Sequence, residues 1–197
     1  MDAGEPASAI PQLQMALRLQ PGFVEARSNL AAALMTVGRA DEGLAQFEEA
    51  LRRAPDYAVG HRNLGLALAR SGRIPEALAH FAHAVRLKPD FAEAELSWAS
   101  ALTVADRFPE AIAHYERAIV LDPRSANTHH SFGRALAGAR RMSEAIAHYE
   151  AALRLNPRHA EAHLNLAVKL RDRGEANRAA HHYREALRLN PNLGSER

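Results

Sequence analysis

Four stretches place histidines where two side chains could act together: His80 with His83 in HFAH, His129 beside His130, His159 with His163 in HAEAH, and His181 beside His182. Two imidazoles close together can offer nitrogens to a divalent metal or share a proton. A zinc site, however, needs a third ligand and an outer shell that orients the first. The chain has no cysteine to supply a thiolate. It also lacks an HExxH pair, a phosphate-cradling glycine loop and a GxSxG elbow. The expectation is therefore no catalytic residue, no metal and no cofactor, with these histidines structural or solvent-facing.

A second histidine series runs through a repeated phrase, EAIAHYERAIVLDP at 110–123 and EAIAHYEAALRLNP at 144–157. Its column reads Gln46, His80, His114, His148 and His182. The residue before a buried aromatic lies about 100° round a helix, at the edge of the apolar stripe. Glutamine in the first of these places argues against a required imidazole, and the series reads as a by-product of duplication.

The elements behind these residues follow a fixed period. Pro21, Pro55, Pro89, Pro123, Pro157 and Pro191 are each 34 residues apart, with no insertion or deletion. Each closes a run rich in Leu and Arg, because proline lacks the amide donor and clashes with the preceding turn. Inside each period two amphipathic segments flank a polar break: VGRADE, SGRIPE, ADRFPE, ARRMSE and RGEANR. Gly38, Gly72 and Gly174 serve as helix stops, and Asp41, Pro75, Pro109, Ser143 and Asn177 suit a helix start. Asp106 and Arg140 stand where glycine is missing, so those two first helices must end less comfortably.

Three columns hold small residues: Ala31, Gly65, Ala99, Gly133 and Ala167; Gly43, Ala77, Ala111, Ala145 and Ala179; Ala50, Ala84, Ala118, Ala152 and Ala186. Large residues face them: Leu30, Leu64, Trp98, Phe132 and Leu166, then Phe47, Phe81, Tyr115, Tyr149 and Tyr183. Small against large lets helix axes approach closely. The predicted class is all-α, an array of antiparallel helix pairs in which each unit stabilises its neighbours.

Composition agrees with that class. Ala, Leu, Arg and Glu dominate the 197 residues, and no stretch alternates as a half-buried strand would. The formal charge is +2, from 25 basic and 23 acidic residues spread along the chain. Such a spread does not make the clustered basic face that nucleic acid requires. The start, MDAGEPASAIPQLQ, lacks the pattern of a signal peptide, and no apolar run approaches the roughly 20 residues of a membrane span. A cytoplasmic protein without nucleic-acid or membrane partners is expected.

These residues resemble the tetratricopeptide repeat, whose helix-turn-helix unit has this arrangement of Leu, Gly/Ala, Ala, Phe/Tyr, Ala and Pro. The resemblance implies a right-handed α-solenoid in a single array over 1–197. It would hold the second helix of a partial repeat at 4–23, complete repeats at 24–57, 58–91, 92–125, 126–159 and 160–193, and a tail at 194–197. Ala9, Leu13, Ala16 and Pro21 carry the register of the partial repeat. No polar cap is visible at either end. Either the chain belongs to a longer protein, or its ends pair with a partner or with another copy as a homo-oligomer.

One column stands apart: Asn29, Asn63, Ser97, Ser131 and Asn165. Asparagine in mid-helix has a modest cost, which suggests a use; an exposed helix face or a local hydrogen bond is the competing reading. In the array that precedes the catalytic domain of O-GlcNAc transferases, a similar NLG/NLA phrase lines a concave groove and holds an extended peptide. The resemblance implies that role for Asn29, Asn63 and Asn165, whereas Ser97 and Ser131 break the ladder. It also implies a groove lined by Arg62, Arg70, His130, Arg134 and Arg171 against Glu25, Glu93, Glu161 and Asp172, with Leu66, Leu96 and Leu164 between. Mixed signs disfavour a strongly charged ligand, and the basic clamp of chaperone-binding arrays is missing. Two functional readings follow. One is a non-catalytic scaffold for an extended protein or peptide partner. The other is the substrate-recruiting segment of a larger glycosyltransferase similar to O-GlcNAc transferase.

Overall fold

A computed structural model of the protein describes residues 6–194. Among the described residues there are eleven α-helices, one 3-10 turn and no strand. In order they are α1 (Pro6–Leu19), α2 (Val24–Thr36), α3 (Ala40–Arg53), α4 (Ala58–Arg70), α5 (Ile74–Leu87), α6 (Ala92–Val104), α7 (Phe108–Leu121), α8 (Ala126–Gly138), α9 (Met142–Leu155), α10 (Ala160–Asp172), α11 (Ala176–Leu189) and the turn Pro191–Gly194. Helices α2 and α3, α4 and α5, α8 and α9, and α10 and α11 pack as hairpins. The class is the all-α solenoid of antiparallel helix pairs. Helix α1 lies inside the expected range 4–23 and stops at Leu19; positions 4 and 5, and 195–197 of the expected tail, lie outside the described residues. The chain divides into two compact units, Met1–Ala101 and Leu102–Arg197.

Every helix that precedes a proline of the series ends two residues before it, at Leu19, Arg53, Leu87, Leu121, Leu155 and Leu189. Proline pushes the residue in front of it out of the helical region, so the break precedes it. The tight turn inside each pair has a different cause. Gly38, Gly72 and Gly174 adopt φ of 82°, 76° and 80°, and Asp106 and Arg140 adopt 56° and 61° in the same place. This left-handed residue lets the Arg39 amide donate to the Leu34 carbonyl at 2.9 Å, and the equivalent bonds from Arg73, Arg107, Arg141 and Glu175 reach Leu68, Leu102, Leu136 and Leu170. The two non-glycine cases carry the steric cost expected of Cβ in that region.

The helix-start residues fall just inside the helix starts, as the sequence predicts, but without side-chain caps. Asp41, Pro75, Pro109, Ser143 and Asn177 are each the second residue of their helix, and the residues in front of these helices make no side-chain cap. Instead Arg39 grips Glu42 through two parallel bonds of 2.7 and 2.6 Å, repeated by Arg73 with Glu76, Arg107 with Glu110 and Arg141 with Glu144. In the last pair the charges are exchanged, and Arg178 bonds Glu175. The arginine hydrogen bonds hold the four partner glutamates below their ordinary pKa. These pairs are exposed, so they fix the turn more than they stabilise the fold.

Within the first unit the main core joins Phe47, Leu51, Leu64, Leu68 and Phe81, with Trp98 packed against it. In the second, Tyr115 stacks on Phe132 with centroids 5.4 Å apart, and Tyr149 is fully enclosed, its phenol pushed up to about 12 by burial. The small columns are steric requirements. A Cβ added at Gly65 would sit 2.6 Å from the Phe81 ring, and one at Gly133 would sit 2.6 Å from the Tyr149 ring.

Candidate functional site

The first helices carry the candidate residues, and the two units are taken separately. In the first unit, Asn63, Leu66 and Arg70 of α4 and Ala32, Met35 and Thr36 of α2 meet above Phe47 of α3, around a cavity of about 140 Å³. Methionine, leucine and the phenyl ring make an apolar floor. Thr36, Asn63 and Arg70 make a polar rim. Asn29, one turn before Ala32 and Ala33, is exposed.

The amide of Asn63 is already partly engaged. Its Nδ2 donates to Ser28 Oγ at 3.4 Å, and its Oδ1 accepts from Arg62 Nη1 at 3.2 Å. Arg62 also donates through Nε to the Glu93 carbonyl at 3.3 Å, and burial lowers its pKa from the usual value. A primary amide has two N–H groups and two acceptor lone pairs. Half of the Asn63 capacity therefore stays available to a ligand. Leu96 is half-buried on α6, and Ser97 turns its hydroxyl back to the Glu93 carbonyl at 2.6 Å.

In the second unit, Asn165 Nδ2 lies 2.9 Å from His130 Nε2. Burial, helped by His159 and Arg134, pushes His130 down to about 4, so at neutral pH its Nε2 lone pair accepts from the amide. The ring also lies against His159, with centroids 4.5 Å apart. Leu164 is half-buried beside Asn165, while Arg134 and Arg171 are exposed. The structure thus joins Asn63, Leu66 and Arg70 in one unit and His130 and Asn165 in the other. In both, the asparagine donates to the residue 35 positions earlier.

A feature that the sequence reading missed explains the histidine series. His61 Nδ1 lies 3.0 Å from His80 Nδ1, and His61 Nε2 lies 2.9 Å from the Pro55 carbonyl oxygen. The same brace recurs as His163 with His182 at 2.9 Å and with Pro157 at 3.1 Å. His129 meets His148 at 3.0 Å. In the first repeat Arg27 donates to Gln46 Oε1 at 2.9 Å and to the Pro21 carbonyl at 3.0 Å, giving the same connection with other chemistry. A carbonyl only accepts, so His61 Nε2 carries a proton and its Nδ1 accepts from His80. Each brace ties the turn before a hairpin to both of its helices. His80, His148 and His182 of the duplicated series are thus structural links, and the recurrent spacing of 19 residues was the signal that could have found them. His83, the supposed partner of His80, stacks on His61 with centroids 4.6 Å apart.

Helix hairpins with interlocking small and large columns, and side chains presented along the first helices, define a helical-repeat scaffold. Residues 23–90, and again 62–126 and 130–193, match the tetratricopeptide repeat family. The chain belongs to that family, whose members bind protein or peptide partners and typically act as non-catalytic scaffolds. A sequence comparison with curated proteins returns no match. Among solved structures, MamA from Desulfovibrio magneticus RS-1 is similar with a TM-score of 0.75 at 20% identity, covering 85% of this chain and 95% of that one. YrrB, a TPR protein with an unusual peptide-binding site, gives 0.68 at 21% identity over 91% and 92%. The Cut9–Hcn1 hetero-tetramer of the APC/C gives 0.83 at 19% identity, covering 95% of this chain and 37% of that one. At these identities the likeness is one of fold. Among the described residues, no helix is long and apolar enough to cross a membrane.

Proposed function

We propose that this scaffold holds an extended segment of a partner protein along the face made by its first helices. The groove around Asn63, Leu66 and Arg70 carries the reading: an apolar floor with an amide and a guanidinium on its rim suits a peptide side chain and its flanking backbone. Asn63 retains one donor and one acceptor, which is what a peptide C=O and N–H require. Asn165 and His130 supply a smaller equivalent in the second unit, with Leu164 beside them and Arg134 on the same helix as His130. Asn29, exposed on α2, is a further contact. In the first unit Arg62 and Arg70 balance Glu25 and Glu93, and in the second Arg134 balances Glu161, so neither stretch selects a strongly charged peptide.

The test is affinity selection of random unstructured peptides on the folded chain. The selected peptides are then titrated against Asn63→Ala, Arg70→Ala and Asn165→Ala, with Arg52→Ala on α3 as the control. Equal affinity for all four variants would remove the first-helix face from the proposal.

A further inference from the structure

Second helices carry an apolar stripe that the next first helix covers. Phe47, Tyr115 and Tyr149 are 3%, 1% and 2% exposed, and α4, α8 and α10 pack on α3, α7 and α9 respectively. In α11 the equivalent Tyr183 is only half-buried, and Ala180 is exposed although Leu44, Ile112 and Ile146 in its column are buried. With Ala167, Arg171, Ala176 and Ala179 these two residues line a groove of about 330 Å³. The 3-10 turn covers only the far end of the stripe, where Gly194 meets Leu187.

The groove differs in composition from the interior surfaces that it continues. Ala180 stands where Leu44, Leu78, Ile112 and Ile146 occur, whereas the column of Ala176 reads Ala40, Ile74, Phe108 and Met142. The change at Ala180 lowers the floor and leaves room there for a bulky side chain of a docked segment. Charge changes too. Arg184, beside the groove and donating through Nε to the Ala180 carbonyl at 3.3 Å, stands where Glu48, Ala82, Glu116 and Glu150 occur, and Arg171 stands where Met35, Ala69, Thr103 and Ala137 occur. Arg173, Arg178 and Arg188 are held by Glu175, Glu150 and Glu185, whereas no ion pair among the described residues holds Arg171 or Arg184.

We propose that this groove docks an amphipathic helix of a partner protein. That helix carries small residues against Ala167 and Ala179, one bulky aromatic or branched residue over Ala180, and acidic residues facing Arg171 and Arg184. The interior interfaces supply the geometry, since a first helix with a small residue near a large one, such as Gly60 against Leu51 with Leu64 in the same core, covers the equivalent stripe. The two guanidiniums supply the sign. A second copy offers α1, which packs on α2 through Ile10, Leu13 and Leu17 and leaves Met15 and Leu19 exposed, but Pro6–Leu19 contains no acidic residue. The groove and the Asn63 cavity share no residue, so either proposal stands without the other.

The probe is a hydrocarbon-stapled helix of about 15 residues, stapled because isolated helices of that length are marginal. It carries the first-helix pattern of small and large residues with glutamates on both flanks. Two controls have the apolar period scrambled or the glutamates replaced by lysines. Fluorescence anisotropy on the whole chain is expected to show binding of the glutamate helix, with affinity falling roughly tenfold or more for each control. Ala180→Arg, at an exposed position, should block the helix to the same degree, and Arg171→Glu with Arg184→Glu should reverse the preference between glutamate and lysine flanks. Asn63→Ala should change nothing. Equal binding of the scrambled helix, or unchanged affinity in both groove variants, overturns the proposal. A sedimenting dimer that Ala180→Arg dissolves would assign the groove to a second copy and overturn it as well.

Discussion

The Nδ1 atoms of His129 and His148 lie 3.0 Å apart, on the two helices of one hairpin, and only one of them can donate. If both rings were protonated, both nitrogens would carry hydrogens and the contact would become repulsive. Burial holds His129, His61, His80 and His182 below the ordinary imidazole value and pushes His148 to about 4.

Acid should therefore weaken the fold in a defined window. A histidine whose folded pKa is depressed binds its proton more readily when unfolded. Stability is full above the unfolded value of about 6.5 and falls as pH drops towards about 4. Thermal melts between those limits should show a falling midpoint. The paired substitution His129→Arg with His148→Gln, which transplants the Arg27–Gln46 brace, should flatten that decline. An equally steep decline in the double variant would show that this brace is not its source.

Arg140 occupies a left-handed turn position at φ 61°. Arg140→Gly removes a steric cost of about 1–2 kcal/mol and adds unfolded-state entropy worth about 0.4–1 kcal/mol. A net gain of a few tenths to about 1 kcal/mol is expected in urea unfolding. Asp106→Gly should gain less, because aspartate tolerates this region better. Gly38→Ala, at φ 82°, should lose stability by a similar amount. A destabilised Arg140→Gly would mean that the arginine side chain contributes more than its backbone costs.

Removing an enclosed ring should distinguish interior from terminal repeats. Tyr149→Ala empties a site that is 2% exposed and is expected to cost about 3–5 kcal/mol. Tyr183→Ala, at the equivalent half-buried place, should cost well under half of that. Equal losses in chemical denaturation would mean that Tyr183 is covered in solution.

For the peptide-binding reading, Asn63→Ala should weaken selected peptides by about 1 kcal/mol or more for a lost buried hydrogen bond, and Arg70→Ala by a comparable amount. Asn63→Ala also loses the Ser28 and Arg62 bonds, so its melting midpoint should drop slightly. Arg70 is exposed and should leave the midpoint unchanged. Isothermal titration of one peptide against both variants would separate binding from folding. Unchanged affinity for both would leave Asn63 with its internal bonds as its only role.

Much of the architecture is written locally. Six prolines at one spacing, glycines at three turns and the alternation of Ala or Gly with Phe or Tyr are properties of single helices and their ends. They determined the all-α class, the helix pairs and the family, because backbone sterics and the 3.6-residue period act within a few neighbouring residues. Even the awkward turns at Asp106 and Arg140 were legible, since a missing glycine is visible without coordinates.

Side-chain partnerships were decided elsewhere. His80 bonds to His61 across a hairpin, and Asn63 to Ser28 across successive first helices. The Asn29, Asn63 and Asn165 column looked uniform in sequence, yet the first is exposed and the others donate to the residue 35 positions earlier, a serine in one case and a histidine in the other. Helical period tells which face a residue occupies. Which atom meets it depends on how close two axes come and how the helices are rotated against each other, and those quantities exist only once Gly65 has met Phe81 and Gly133 has met Tyr149.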